Sequence, residues 1–257
     1  MSTTALPPKM DVISIFPEAF DSPLRVSLLG KAIANGLIEV GIHDLREYAD
    51  LPHRKVDDEP FGGGAGMVMG PKVIVEAVEK LATEGSRVIL LTAGGRPYRQ
   101  KDAEELSQTP HTILICGRYE GIDARVPEIL GAEEISVGQF VLAGGEVAAL
   151  MVIESVVRLL PGVMGNESSG VEESFTSGLI EYPQYTRPAE FRGAKVPEVL
   201  LSGDHKKIDE WRRTTALRRT FELRPEMLDE VELSDEESQL VGKWAEERLS
   251  SEGPQPT

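Results

Sequence analysis

Five short apolar runs stand out along the first 140 residues: 10–16 (MDVISIF), 38–43 (IEVGIH), 87–92 (RVILLT), 111–116 (HTILIC) and 134–138 (EISVG). Their length and their Val, Ile and Leu content predict strands. Between and after them apolar positions recur every three or four residues, which predicts helices over 23–35, 72–83, 99–108, 124–130 and 146–160. Ser22 is placed to cap the first of these, with Pro23 in its opening turn. In the second, Ile74, Val78 and Leu81 share a face. Strands alternating with helices predict an α/β fold: a mostly parallel sheet with helices on both faces. Such sheets bind ligands beyond the carboxyl ends of their strands.

The pattern stops near residue 160. Residues 161–178 (PGVMGNESSGVEESFTSG) are rich in Gly, Ser and Glu and read as a mobile linker. Beyond it, helical patterns over 204–221 and 234–249 predict a small, mostly helical domain spanning 179–257. Residues 1–9 read as an N-terminal extension and 10–160 as the main domain.

Composition narrows the chemistry. Hydrophobic residues make up 40% of the 257, enough for a substantial core. Cys116 is the only cysteine, so a disulfide within the chain is excluded. His43, His53, His111 and His205 show no metal-ligand spacing, and no metal site is expected from them. The longest apolar run, Val147 to Ile153, is far short of the ~20 residues that span a bilayer, and no apolar leader is visible, so a cytoplasmic location is expected. Net charge is −16, against indiscriminate nucleic-acid binding. Charge is uneven, however: 204–224 carries a net of +3 and 226–252 a net of −8. A basic segment therefore adjoins an acidic tail.

Glycine clusters supply the candidate site. "FGGGAGMVMG" (61–70) lacks the Gly-Lys-Ser/Thr ending of a Walker loop and the G-x-G-x-x-G of a dinucleotide fold. It reads either as a turn or as a ligand loop. "LLTAGGRP" (90–97), "CGRYEG" (116–121) and "SVGQFVLAGGE" (136–146) each end a strand. Three such ends predict backbone pressed against one shared ligand, since glycine lacks a Cβ and tolerates positive φ. No lysine accompanies them, and Arg96 and Arg118 are the bases nearby. A nucleoside-like cofactor suits them better than a triphosphate.

Several longer stretches carry a resemblance: "HRKVDDEPFGGGAGMVM" (53–69), "CGRYEGID" (116–123), "SVGQFVLAGGE" (136–146), "SVVRLLPGVMGN" (155–166), "YTRP" (185–188) and "VPEVLLSGDH" (196–205). In order and in register, from residue 10 to about 250, the chain resembles the bacterial tRNA (guanine-N1)-methyltransferases, the TrmD family of the SPOUT class. The resemblance implies a deep trefoil knot in the main domain. It also implies methyl transfer from S-adenosylmethionine to N1 of guanosine 37, beside the tRNA anticodon, by a homodimer with its active site at the subunit interface. The positions matching the family's cofactor loops are Leu90, Leu91, Thr92 and Gly95; Gly117, Tyr119 and Glu120; and Val137, Gly138, Phe140, Leu142, Gly144 and Gly145. Mg²⁺ is a possible further cofactor, with Glu120 a candidate ligand.

The reaction needs a base for the guanine N1 proton and a positive donor for the charge that develops on O6. Arg158 matches the family's catalytic arginine; pairing with Glu154 one turn earlier is the structural alternative. The family's general base is an Asp within Glu-Asp-Ser-Phe. Here the stretch is Glu172-Glu173-Ser174-Phe175, so Glu173 takes that position, with Glu172 second. Gln139 and Ala148 also depart from the pattern. For tRNA, the expected contacts are Arg118 and Arg125 together with Lys206, Lys207, Arg212, Arg213, Arg218 and Arg219. A pair with Asp123 or Glu128 is the alternative for Arg125, and core packing rather than base stacking for Trp211. The glutamate at 173 keeps a second function open, a catalytically impaired RNA-binding relative of the same fold. Without G-x-G-x-x-G, a dinucleotide oxidoreductase is disfavoured.

Overall fold

A computed structural model describes residues 6–164 and 178–251 of the chain. Two compact units divide at residues 167 and 168. The first contains β1 (Lys9–Ser14), α1 (Ser27–Ala34), β2 (Glu39–Asp44), β3 (Asp57–Asp58), β4 (Val68–Met69), α2 (Pro71–Leu81), β5 (Arg87–Pro97), α3 (Gln100–Ser107), β6 (His111–Cys116), α4 (Arg125–Leu130), β7 (Glu133–Ser136) and α5 (Glu146–Val157). Five strands form one parallel sheet in the order β2-β1-β6-β5-β7. They are the five expected from the apolar runs. The two-residue pair β3–β4 is too short to leave a pattern.

Strand alternation splits the core in two. Met10, Val12, Ile89, Leu91, Leu114 and Cys116 pack with α1, α3 and α5 on one face. Ile13, Leu90, Ile113 and Ile115 pack with α2 and α4 on the other. Both faces are covered, which is why the strands read as nearly continuous apolar runs.

Helix ends agree within a few residues, with one correction. The helix expected over 23–35 is broken: Pro23–Arg25 forms a 3₁₀ turn, Val26 is extended, Ser27 has φ of 57°, and α1 begins there. Ser22 makes no side-chain cap. The 3₁₀ turn folds back so closely that a Cβ on Gly30 would lie 2.4 Å from the Arg25 carbonyl carbon. That is a local backbone approach between residues five apart, which apolar periodicity does not register.

The second unit holds the hairpin β8 (Glu190–Phe191) and β9 (Ala194–Lys195), then α6 (Glu198–Leu201), α7 (His205–Leu223) and α8 (Asp235–Ser251). Leu179, Ala216 and Leu217 centre its core, with Leu228, Val231, Val241 and Trp244 packed around them. Most of the expected linker 161–178 lies outside the described residues. No helix among the described residues is long and apolar enough to cross a membrane.

Candidate active site

Three loops meet at the carboxyl ends of the central strands. In the first, Leu91 and Arg96 of β5 both pair with Ile135, so Thr92–Gly95 bulge outward between them. Arg96 anchors the bulge, bonding Glu133 at 2.9 Å and Asp102 at 2.7 Å. Arg87 holds the same Glu133 through two bonds, of 2.5 and 3.0 Å. The Arg87 bonds above all, with those of Arg96, overcome partial burial and hold the Glu133 carboxyl down at about 2.

The second loop follows β6. Tyr119 sits at φ of 60°, an unusual conformation for an aromatic residue and one that clusters at functional sites. This loop also locks to the segment before α2: Glu120 N–H donates to Met67 O at 3.0 Å and Met69 N–H to Gly121 O at 2.9 Å. The glycine-rich stretch at 61–67 is thus docked onto the site loop through Met67.

The third loop leaves β7 at the sheet edge and returns past β5 to the end of β6, where Gly145 N–H donates to Gly117 O at 3.0 Å. A Cβ on Gly145 would lie 2.7 Å from Cys116 Cα, so this approach requires glycine.

The loops enclose an open cleft of about 220 Å³. Of the expected cofactor residues, Leu91, Thr92, Gly117, Tyr119, Glu120, Val137, Gly138, Phe140, Leu142, Gly144 and Gly145 line it. Leu90 and Gly95 do not. Leu90 points into the opposite core, because neighbours on a strand face opposite ways. Gly95 presses on β7: its Cβ would lie 2.5 Å from the Glu134 carbonyl carbon. Cys116 lies buried behind the cleft. Burial first, and the Glu146 charge second, push its thiol well above the ordinary range, so it is inert. A separate hollow of about 380 Å³, between residues 48–58 and the start of α2, shares no residue with the cleft.

Other candidates fall elsewhere. Arg118 lines the cleft, but its Nε bonds buried Glu146 at 3.0 Å and its guanidinium lies 4.5 Å over the Phe16 ring. Its side chain is thus held on Glu146 and Phe16 at the cleft wall. Arg125 forms the Asp123 pair through bonds of 2.8 and 2.7 Å. Arg158 is half-buried at the C-cap of α5, where a cation complements the helix dipole. It lies ten residues beyond Ala148, the last cleft-lining residue of α5, about 15 Å along the axis. Glu172 and Glu173 lie outside the described residues.

In the second unit the basic face of α7 is partly neutralised. Arg213 bonds Glu237 at 2.6 Å, and Arg218 bonds Glu222 at 2.5 Å and stacks over Trp244. Lys206, Lys207 and Arg212 have acidic neighbours on their own helix or at its cap, at 3.1 to 3.8 Å. Among the described residues, Arg219 Nε is buried without a hydrogen-bond partner. Trp211 packs against Tyr182 and Tyr185.

Sequence reasoning missed Ser14, Phe16 and Glu146. Glu146 left one signal, a charge opening a helix whose next seven residues are apolar; Ser14 and Phe16 left none.

Glycine loops at the carboxyl ends of a parallel sheet, with apolar side chains and no lysine, define an α/β protein with a glycine-lined cleft at its strand ends. The chain matches a family model described as tRNA (Guanine-1)-methyltransferase TrmD over residues 8–230. It is 51% identical over 242 residues to a tRNA (guanine-N(1)-)-methyltransferase of Geobacillus kaustophilus, covering 93% of this chain and 99% of that protein. Similarly named proteins of Dictyoglomus turgidum, 51% identical over 91% of this chain and 95% of theirs, and Bacillus licheniformis, 49% identical over 92% and 98%, also match. The chain belongs to the TrmD family of tRNA (guanine-N1)-methyltransferases.

Proposed function

We propose that this protein transfers a methyl group from S-adenosylmethionine to N1 of guanosine 37 in tRNA. The observation that carries this reading is the convergence of three glycine loops on one open cleft in a chain of this family. The cleft suits the donor. Loop backbone offers N–H and C=O groups to a purine edge and ribose, while Leu91, Phe140 and Leu142 supply apolar contact. When bound, the donor supplies an electrophilic methyl on a sulfonium centre.

The chain's residues do the rest. Glu173 takes the N1 proton, and Arg158 donates to O6 as negative charge gathers there. Glutamate keeps the carboxylate's basicity, with a side chain longer by one bond, about 1.5 Å. Because Arg158 lies about 15 Å along α5 from Ala148, the cleft residue nearest it on that helix, it serves the cleft of a second copy. That supports a homodimer with shared sites. Exposed Val147 and Met151, one turn apart on the same helix, supply an apolar surface for the contact.

The first unit is the catalytic domain and the second the tRNA-binding domain. There Lys206, Lys207, Arg212 and Arg219 meet phosphates, while Arg213 and Arg218 are committed in large part to acids of α7 and α8. Among the described residues no group of three or more His, Cys, Asp or Glu side chains is placed to hold a metal. Mg²⁺ at Glu120 therefore needs water or substrate oxygens as its other ligands.

The test is methyl transfer to unmodified tRNA transcript, with a transcript bearing adenosine at position 37 as control. Product with the first and not the second is expected. Donor binding without product would instead establish the impaired relative.

A further inference from the structure

Glu146 is 2% exposed, directly behind the cleft, and both its carboxylate oxygens are engaged. Ser14 Oγ donates to Oε1 at 2.7 Å and Arg118 Nε donates to Oε2 at 3.0 Å. Ser14 is fully buried, and its Oγ accepts the Phe16 N–H at 2.9 Å. The Arg118 guanidinium then lies over the Phe16 ring, closing the circuit. These contacts join the end of β1, the loop after β6 and the helix that follows the third loop. Ser14 and Glu146 are 132 residues apart. Gly144 belongs to the arrangement: a Cβ there would lie 2.1 Å from Arg118 Nε and 2.6 Å from Glu146 Oε2.

A buried ion pair is a weak source of stability, because desolvation offsets most of its attraction. It is a strong source of geometry, since both partners must meet at fixed positions. Arg118 and Gly144 also form an isolated bridge, so the pair sits where the second and third loops touch.

We propose that Glu146, with Ser14 and Arg118, is a positioning clamp that fixes the second and third glycine loops against each other and so sets the shape of the S-adenosylmethionine site. It rests on reading the cleft as the methyl-donor site. Glu146 acts through Arg118 and the loop backbone, and Arg118 is committed to the clamp, not to tRNA.

The experiment measures S-adenosylmethionine affinity by titration, steady-state kinetics with tRNA transcript, and thermal unfolding, all on the full chain. Glu146→Gln keeps the shape and removes the charge. Its donor Kd and KM are expected to rise at least tenfold while KM for tRNA stays within twofold. Arg118→Ala is expected to match it, Arg118→Lys to recover at least a third of the lost affinity, and Ser14→Ala to raise donor Kd about threefold. The double variant Glu146→Gln/Arg118→Ala should be no worse than either single one, as coupled partners require. Donor affinity within twofold of wild type in folded Glu146→Gln or Arg118→Ala overturns the proposal. So does strict additivity, or a rise in tRNA KM alone. Should Glu146→Gln fail to fold, Ser14→Ala and Arg118→Ala decide by the same criteria. A wild-type protein that binds no donor refutes the functional reading; a wild type that binds it, with variants unchanged, refutes the clamp alone.

Discussion

The central sheet carries polar side chains in two places, and they behave in opposite ways. In its amino-terminal half, Asp11 is fully buried and accepts from His43, His111 and Lys9 at 2.9, 2.9 and 3.0 Å. His43 reaches it from β2 across Gly41, where a Cβ would lie 2.2 Å from Asp11 Oδ1. Tyr48 OH and Ser86 Oγ meet the other nitrogens of His43 and His111. With each Nε2–H donating to Asp11, each Nδ1 accepts from a hydroxyl, and the network is complete. At the carboxyl ends, by contrast, the loops present glycine backbone, half-exposed Tyr119, Phe140 and Leu142, and an open cleft. The amino-terminal cluster holds more titratable groups, yet they meet one another around buried Asp11. A binding site is marked by groups left over after the fold has satisfied itself, not by the density of polar residues.

The sharpest way to break this comparison is to disable the chemistry and leave the fold alone. Glu173→Gln and Arg158→Ala are each expected to lower kcat on the order of 10³-fold with donor affinity nearly unchanged. Mixing the two inactive chains tests the distance argument directly. If Arg158 serves the neighbouring cleft and Glu173 its own, mixed dimers regain a fraction of wild-type turnover. If each chain is self-sufficient, mixtures stay inactive and the shared-site reading fails.

The opposite outcome is expected at the other end of the sheet. Asp11→Ala leaves two histidines and a lysine without their acceptor. It should cost about 3 kcal/mol in denaturant unfolding, as removing one partner of a buried charge network does. Turnover per folded molecule should stay within twofold. A tenfold loss of kcat at intact stability would mean that the two ends are coupled. Burial pushes the Asp11 carboxyl up, but the bonds from His43, Lys9 and His111 together prevail and hold it below its usual range.

Much of this was legible in the sequence, for a stated reason. Strands buried on both faces and amphipathic helices carry periodic signals, so all five sheet strands and most helices are readable from apolar spacing. The three glycine loops are readable because close backbone contact excludes side chains. What fails is whatever depends on distant partners. Leu90 and Leu91 look alike until the sheet assigns each a face. Gly95 resembles a ligand glycine, yet spends its missing Cβ on β7. Ser14 is an ordinary serine until Glu146 arrives from 132 residues away. Arg118 gives no sign in the sequence that it will meet Glu146, 28 residues on.

A smaller effect tests the third loop. In Gly145→Ala the new Cβ would lie 2.7 Å from Cys116 Cα, in backbone that cannot yield without moving β6 or α5. The helix start shifts away, and donor affinity should fall about tenfold, on the order of 1.4 kcal/mol. Gly131→Ala, at a helix end remote from the cleft with nothing within 4 Å, carries a positive-φ penalty of about 1 kcal/mol. It should lower stability with donor binding untouched. Equal loss of donor affinity in both would show that the cleft responds to global loosening, not to loop contact.

The smallest expected effect concerns the brace behind the first loop, where the two kinds of polar cluster meet. Glu133 belongs to a satisfied network, like Asp11, but that network anchors a cleft loop through Arg96. Its folded value is about 2 against an ordinary 4.5. A depressed carboxylate adds stability in full above its unfolded value and loses it as pH falls toward the folded one. The contribution is therefore complete above about pH 5 and fades between about 4.5 and 2. Because the Glu133 side chain is 36% exposed, solvent screening keeps it below about 1 kcal/mol. Glu133→Gln should lower the melting temperature slightly at pH 7, and the wild-type and variant curves should converge by about pH 2. Donor Kd should rise no more than threefold, because Asp102 still holds Arg96 at 2.7 Å. A larger rise would make this brace, although satisfied within the fold, as much a part of the donor site as the glycines themselves.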